Sequence, residues 1–260
     1  YSQTPTISAV GYNSLLTGTW VNKHNVWGND IKSPNYHYPT IFNLLKTQFP
    51  TRKTAIFSSW LDNRTKLLGE GLKATGKTRV DYHADGFELD TILFPHDPRS
   101  YYMHRIDDTV AARAAAGIRR HGPDLTWVYL EYTDDMGHAH GDSPELTKAV
   151  EYMDRQVALL WQAVEYRQKM FAEKWMVLVT TDHGRDARTG RNHGGQSSRE
   201  RTTWIVSNQP ANLYGRYDVP AIVDLMPGMA RFLGVSIPQD LQRELDGIPL
   251  YGPVSLANPR

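Results

Sequence analysis

Two kinds of hydrophobic pattern alternate along this chain. Short apolar runs bounded by turn residues occur at Leu125-Thr126-Trp127-Val128-Tyr129-Leu130, at Trp175 to Thr180 and through Thr203-Trp204-Ile205-Val206, with another near Ala55 to Ser58. Runs of this length read as buried strands. Between them lie segments of helical period. From Ser143 the apolar residues Leu146, Val150, Met153, Val157 and Leu160 recur at steps of three and four, which predicts one core-facing stripe. Ser143 is placed to cap that helix, with Pro144 in its first turn and Glu145 near its positive end. Asp107 or Asp108 is placed to cap an alanine-rich helix reaching about Arg120. Further helices are expected over Tyr38 to Leu45 and over Ala221 to Phe232, the latter ended by Gly234. The rest of the stretch between Asn29 and Tyr102 yields only turns. Strand and helix in alternation predict an α/β fold with a mainly parallel sheet covered on both faces.

Composition narrows this picture. The 260 residues carry a formal net charge of +1, without the basic excess of a nucleic-acid binder, so no specificity for a nucleic-acid polymer is expected. There is no cysteine, so any transition metal must be held by histidine and carboxylate. No apolar run is long enough to cross a bilayer. The chain starts at Tyr1 without an initiator methionine, which reads as a processed or truncated product.

The candidate chemistry sits directly behind the strands. Asp134-Asp135-Met136-Gly137-His138 follows one, Thr181-Asp182-His183-Gly184 follows the next, and Asn192-His193-Gly194-Gly195 comes a short loop later. Ligands of open α/β sheets bind beyond the carboxyl ends of strands, so the first two clusters should emerge on one edge. One such cluster alone would be an ordinary hydrogen-bonded surface feature. Three in this order make a donor set suited to zinc, or to manganese, iron or cobalt.

Glu131-Tyr132-Thr133-Asp134 through Gly137-His138, followed by Asp182-His183-Gly184, resembles the metal motifs of the type I phosphodiesterase/nucleotide pyrophosphatase branch of the alkaline phosphatase superfamily. Val223-Asp224-Leu225-Met226-Pro227, Leu233-Gly234-Val235 and Asp246-Gly247-Ile248-Pro249-Leu250 resemble the closing helix and turn of the same enzymes. The resemblance implies an alkaline phosphatase-like three-layer sandwich spanning residues 1–260 as a single catalytic domain. It implies two divalent metal ions, zinc or manganese, with Asp134, His138 and His193 on one and Asp182 and His183 on the other. It also implies a small phosphate-ester substrate, and export to the periplasm or beyond the cell. Asp135 and His140 are alternative ligands, and His24 matches a structural histidine of the family.

In these enzymes a hydroxyl nucleophile lies ten residues before the glycine of a segment like Leu15-Leu16-Thr17-Gly18, which points to Ser8; the plainer reading of Ser8 is a helix cap. Thr6 breaks that register. A sulfatase is disfavoured, because Val10 and Tyr12 replace its Pro and Arg and because it would need an oxygen-rich calcium site. The Asn that usually assists the phosphoryl oxygens is Gly11 here, leaving Gly11 backbone, Tyr12 or Asn13 as substitutes and monoester against diester open. Arg185, Arg188, Arg191 and Arg199 are candidate phosphate clamps, and Tyr12, Trp20 and Trp27 are candidate pocket walls, with core packing as their plainer role. The family's second ion also takes an Asp from a strand upstream of the nucleophile. Only seven residues precede Ser8, so that first strand is expected from an associated N-terminal fragment of the same precursor or from a longer chain. The expected reaction is phosphate-ester hydrolysis through a phosphoseryl intermediate. Its rivals are phosphomutase or phosphotransferase chemistry and a metal-stabilised, non-catalytic binding domain.

Overall fold

The computed structural model describes residues 1–3, 5–211 and 219–252, so the last eight residues of the expected domain lie outside the described part. The first half runs through α1 (Ser8–Thr17), the short α2 (Val21–His24), α3 (Ile41–Gln48), β1 (Thr54–Ser58), β2 (Tyr82–Ala84), α4 (Tyr101–His121) and β3 (Leu125–Tyr129). The second half adds α5 (Tyr132–His140), α6 (Pro144–Phe171), β4 (Leu178–Thr180), the single turn α7 (Ser198–Arg201), β5 (Ile205–Ser207), α8 (Leu225–Leu233) and α9 (Gln239–Glu244). None of these helices is long and apolar enough to cross a membrane.

The fold is α/β, with a small parallel sheet flanked by helices. Strand order is β2-β1-β3, and β1 is parallel to both neighbours, with Ala55 opposite Tyr82 on one side and Thr126 on the other. The expectation of one mainly parallel sheet is met only in part. Among the described residues β4 and β5 form a separate antiparallel pair, Val179 opposite Val206.

Helix ends follow local chemistry. The Ser143 hydroxyl accepts the Leu146 amide at the start of α6, as the sequence suggests. Thr40 and Asn43 form a reciprocal capping box, so α3 begins at Ile41 rather than Tyr38. The largest departure is α4, which starts six residues before Asp107. Its first amides, from Tyr101 and Tyr102, are taken by the Asp97 carboxylate. Asp107 and Asp108 therefore lie inside α4 and do not cap it. Asp108 accepts from Gln156 of α6, 2.7 Å away, and Asp107 is fully buried. The stripe on α6 is also displaced: its buried residues are Ala149, Gln156, Ala163, Val164 and Arg167, while Val150 is 53% exposed. Small residues let α6 settle against α4, where Ala163 and Val164 pack on Ile118.

The core occupies both sides of the sheet. Leu16 of α1 and Met226 of α8 pack with Ile56, Leu125 and Trp127. On the opposite side Ile106, Val110 and Ala114 of α4 pack with Ala55, Phe57 and Val128. His24 is wholly buried under α1, its Nε2 3.0 Å from Ser14 Oγ and its Nδ1 accepting the Val26 amide. The structural role implied for it fits this placement. Burial pushes its pKa from 6.5 down to about 3. Between those values the unfolded chain binds a proton that the fold refuses, so stability should fall as pH drops, by about 1.4 kcal/mol per unit from this group. Denaturant unfolding at pH 7.5, 5.5 and 4.5 should therefore show a weaker pH slope for His24→Gln than for the parent chain. Equal slopes would refute it.

Candidate metal centre

β3 and β4 deliver their following residues to one place. Asp134 and His138 lie one turn apart on α5, which puts both side chains on the same face, and His138 Nε2 is 3.2 Å from Asp134 Oδ2. Asp182 and His183 follow β4, and both are buried. His193 arrives from the loop beyond, its ring stacked on His183 at 3.8 Å between centroids and its Nε2 2.9 Å from His138 Nε2. Ser8, at the first position of α1, sets its Oγ 3.4 Å from His183 Nε2. All six residues singled out from sequence thus meet at one site.

Within that site Asp134, His183 and His193 each offer one ligand atom, and these atoms lie within 4.8 Å of one another. That set differs from the expected grouping, which assigned His183 and His193 to different ions. His138 stands at its margin, with a side chain 47% exposed. Among the described residues no second cluster of three ligands forms, and Asp135 and His140 join none.

Histidine tautomers support a cation. His193 Nδ1–H donates to the Thr6 carbonyl at 2.6 Å, and His183 Nδ1–H donates to the Gly184 carbonyl at 2.9 Å. Both Nε2 lone pairs are thereby aimed at the site, as metal-binding imidazoles require. Burial, then the neighbouring His183, lowers the His193 pKa and so favours the neutral ring. Asp182 Oδ2 is buried and lies 3.2 Å from His183 Nε2 without hydrogen-bond geometry. An orphaned carboxylate oxygen beside two free imidazole nitrogens fits a divalent ion.

The surroundings are acidic. Burial, followed by the charges of Asp135, Asp107, Asp134 and Glu88, pushes the Glu131 carboxyl up to about 8. Asp107 accepts the amides of Glu131 and Tyr132 and the Ser59 hydroxyl, and so anchors the segment that leads into α5. Sequence reasoning gave Asp107 the wrong task because its partners are remote in the chain. Thr6, considered from sequence only as a rival nucleophile, is a positioning residue: its hydroxyl donates to the Gly195 carbonyl and accepts the Gly194 amide while its own carbonyl holds His193.

The arginines sort differently from a phosphate clamp. Arg185 bonds both the carboxylate and the carbonyl of Asp134, and Arg199 forms a two-pronged pair with Asp142. Arg188 and Arg191 are exposed. Of the three aromatic candidates, Tyr12 is half-buried and packs against the core, edge-on to Trp127 and Tyr129. Trp20 is half-buried near Tyr1, whereas Trp27 departs from the core-packing expectation at 56% exposure.

Gly11 does not present its amide to a ligand, since that amide donates to the Ile7 carbonyl within the helix. Its value is closeness: a Cβ there would lie 2.8 Å from Asp182 Cβ and 3.0 Å from the Asp182 carbonyl oxygen. Asn13 is buried one further position along α1 from Tyr12. Gly11→Ala should therefore push Asp182 away, costing about 1–3 kcal/mol of stability and weakening metal retention. Calorimetric titration with zinc and a melting curve check both; parent-like values would show that α1 does not brace Asp182.

Residues 1–195 match the family model of type I phosphodiesterase / nucleotide pyrophosphatase, and the chain belongs to that family, within the alkaline phosphatase superfamily. No curated protein matches it significantly. Among solved structures it is similar to BT1596, a 2-O GAG sulfatase, at 13% identity and a TM-score of 0.59, over 95% of this chain and 64% of that one. It is also similar to the phosphoglycerate mutase of Leishmania mexicana, at 14% identity and a TM-score of 0.52, over 82% of this chain and 39% of that one. The phosphonoacetate hydrolase of Sinorhizobium meliloti 1021 matches at 20% identity and a TM-score of 0.44, over 71% and 46%. The chain thus spans less than two thirds of each of these structures.

Proposed function

We propose that this chain is the catalytic domain of a metal-dependent hydrolase of phosphate esters, with Ser8 as its nucleophile. One observation carries the reading: the ligand atoms of Asp134, His183 and His193 converge within 4.8 Å, and Ser8 Oγ lies 3.4 Å from His183 Nε2. Membership of a phosphodiesterase family supports it. Asp134, His183 and His193 would hold one divalent ion, and Asp182 and His138 would be left to contribute to a second. Nitrogen and carboxylate donors without thiolate suit zinc or manganese.

Such ions, when bound, supply Lewis acidity to the phosphoryl oxygens and favour ionisation of a coordinated hydroxyl. The chain's own residues do the rest. Ser8 Oγ gives up its proton to solvent and bonds to phosphorus as the ester P–O bond breaks and the alcohol leaves, protonated by solvent; water then cleaves the seryl P–O bond, returning Ser8 and releasing phosphate from a monoester or a phosphomonoester from a diester. The first turn of α1 favours the anionic phosphoryl group. Asn29 Oδ1 accepts the Ala9 amide at 3.0 Å and fixes that turn in place.

The test is turnover of aryl phosphomonoesters and diesters by chelator-stripped protein reloaded with zinc or manganese. Activity that survives complete metal removal would sink the proposal. Added acceptor alcohols distinguish hydrolysis from phosphoryl transfer by the product formed.

A further inference from the structure

Asp134 and His138 stand on α5, whereas His193 arrives on a loop beyond β4, so the centre depends on two segments far apart in the chain staying in register. The loop is closed on itself. The Asp186 amide donates to the Asn192 carbonyl at 2.7 Å, and the Asp186 carboxylate accepts the amides of Arg188, Thr189 and Asn192. Closure of this kind fixes the shape of the loop but not its place against α5.

Arg185 supplies the place. Its side chain is only 12% exposed. Its Nη1–H donates to the Arg191 carbonyl at 3.1 Å, two residues before His193. Its Nη2–H donates to the Asp134 carbonyl at 2.7 Å and to Oδ1 of the Asp134 carboxylate, whose Oδ2 faces His138 Nε2 at 3.2 Å. One guanidinium thus spans both ligand-bearing segments and turns Asp134 toward its neighbours. Its path is cleared on both sides. The Gly184 amide donates to the Glu200 carbonyl at 2.7 Å, and a Cβ on Gly184 would overlap the Arg199 carbonyl oxygen, so the backbone entering Arg185 is clamped. On α5 the guanidinium lies against Gly137, where a Cβ would overlap Arg185 Cζ and Nε. A planar fork of donors can serve three acceptors at once, whereas an ammonium group is a single point of charge. Arg199 also bridges the two segments, through Asp142 and the Asp186 carbonyl, but that pair is exposed and contributes little.

We infer that Arg185 is a positioning residue of the metal centre: its guanidinium locks α5 to the loop that carries His193 and so presets the spacing of Asp134 and His193. The inference rests on the metal centre proposed above. The work is done by the shape of the fork rather than by its charge, and Gly137 is its counterpart, the small residue that lets the fork reach Asp134.

Competition of zinc against a chromophoric chelator tests this without turnover. Arg185→Ala should lower zinc affinity about 10–100-fold, the range for outer partners of metal ligands. Arg185→Lys should fall as far, because it keeps the charge and loses the fork. Millimolar guanidinium, with sodium chloride as the control, should restore most of the loss in Arg185→Ala. Gly137→Ala, which raises helix propensity and so does not threaten α5 itself, should match Arg185→Ala by displacing the guanidinium. The double variant should lose no more than either single one. Arg199→Ala should stay within about 3-fold of the parent. Parent-like affinity in Arg185→Ala or Arg185→Lys overturns the inference, as does failure of guanidinium to rescue, an additive loss in the double variant or an equal loss in Arg199→Ala. A chain that shows the expected affinities yet hydrolyses no ester upholds the inference and refutes the hydrolase reading. A parent chain that binds neither zinc nor manganese overturns both.

Discussion

Ser8→Ala is expected to lower kcat on aryl phosphate esters by on the order of 10⁴-fold, while zinc affinity changes little. That fall corresponds to roughly 5 kcal/mol of lost transition-state stabilisation. The large effect follows from position. Ser8 occupies the first position of α1, and its Oγ has His183 Nε2 as its neighbour at 3.4 Å. The plainer role, helix capping, is not seen: Ile7 stands at the cap position and no side chain there accepts a hydrogen bond. Thr6 cannot stand in, because its hydroxyl is committed to Gly194 and Gly195. Stability should be nearly unchanged, since the substitution removes one oxygen and no helix cap. Single-turnover assays with metal-loaded protein, alongside titration calorimetry, separate the two effects. Parent-like turnover would exclude Ser8 as nucleophile.

His193→Ala should act on the metal first and on turnover as a consequence. Loss of a ligand is expected to lower metal affinity by at least about 100-fold, more than the 10–100-fold typical of removing an outer hydrogen-bond partner. His193 is the hub of the centre. It stacks on His183, meets His138 Nε2 at 2.9 Å and is held by the Thr6 carbonyl at 2.6 Å. His138→Ala should cost less, because that side chain is half-exposed at the margin. Competition of zinc against a chromophoric chelator ranks the two variants. If His138→Ala releases metal more readily than His193→Ala, the three-ligand cluster is wrongly drawn and the expected grouping through His138 is restored.

The site was legible from sequence to an unusual degree for a concrete reason. Asp134, His138, Asp182 and His183 each follow a strand, and strand ends of an α/β sheet converge on one edge. Helix starts were legible where the capping side chain is local, as at Ser143. They were misread where the acceptor lies outside the helical pattern: Asp97 starts α4, and nothing about Asp107 in sequence announces that it serves residues 131 and 132. Gly11 is a similar case. A departure from the family's Asn looked like a lost phosphate contact, yet the space beside Asp182 explains why a small residue stands there.

By itself, then, the amino-acid order determined the alternation of strand and helix, the absence of thiolate ligands and the identity of the six residues that meet at the centre. These depend on local pattern and residue chemistry. Tertiary structure alone decided that His183 and His193 stack into one cluster with Asp134, that Arg185 is tied to a candidate ligand rather than free for substrate, and that among the described residues β4 and β5 pair apart from the parallel sheet. Each of these depends on distances between segments far apart in the chain. Hydrophobic periodicity says which face of an element is buried; it does not say which neighbour covers that face.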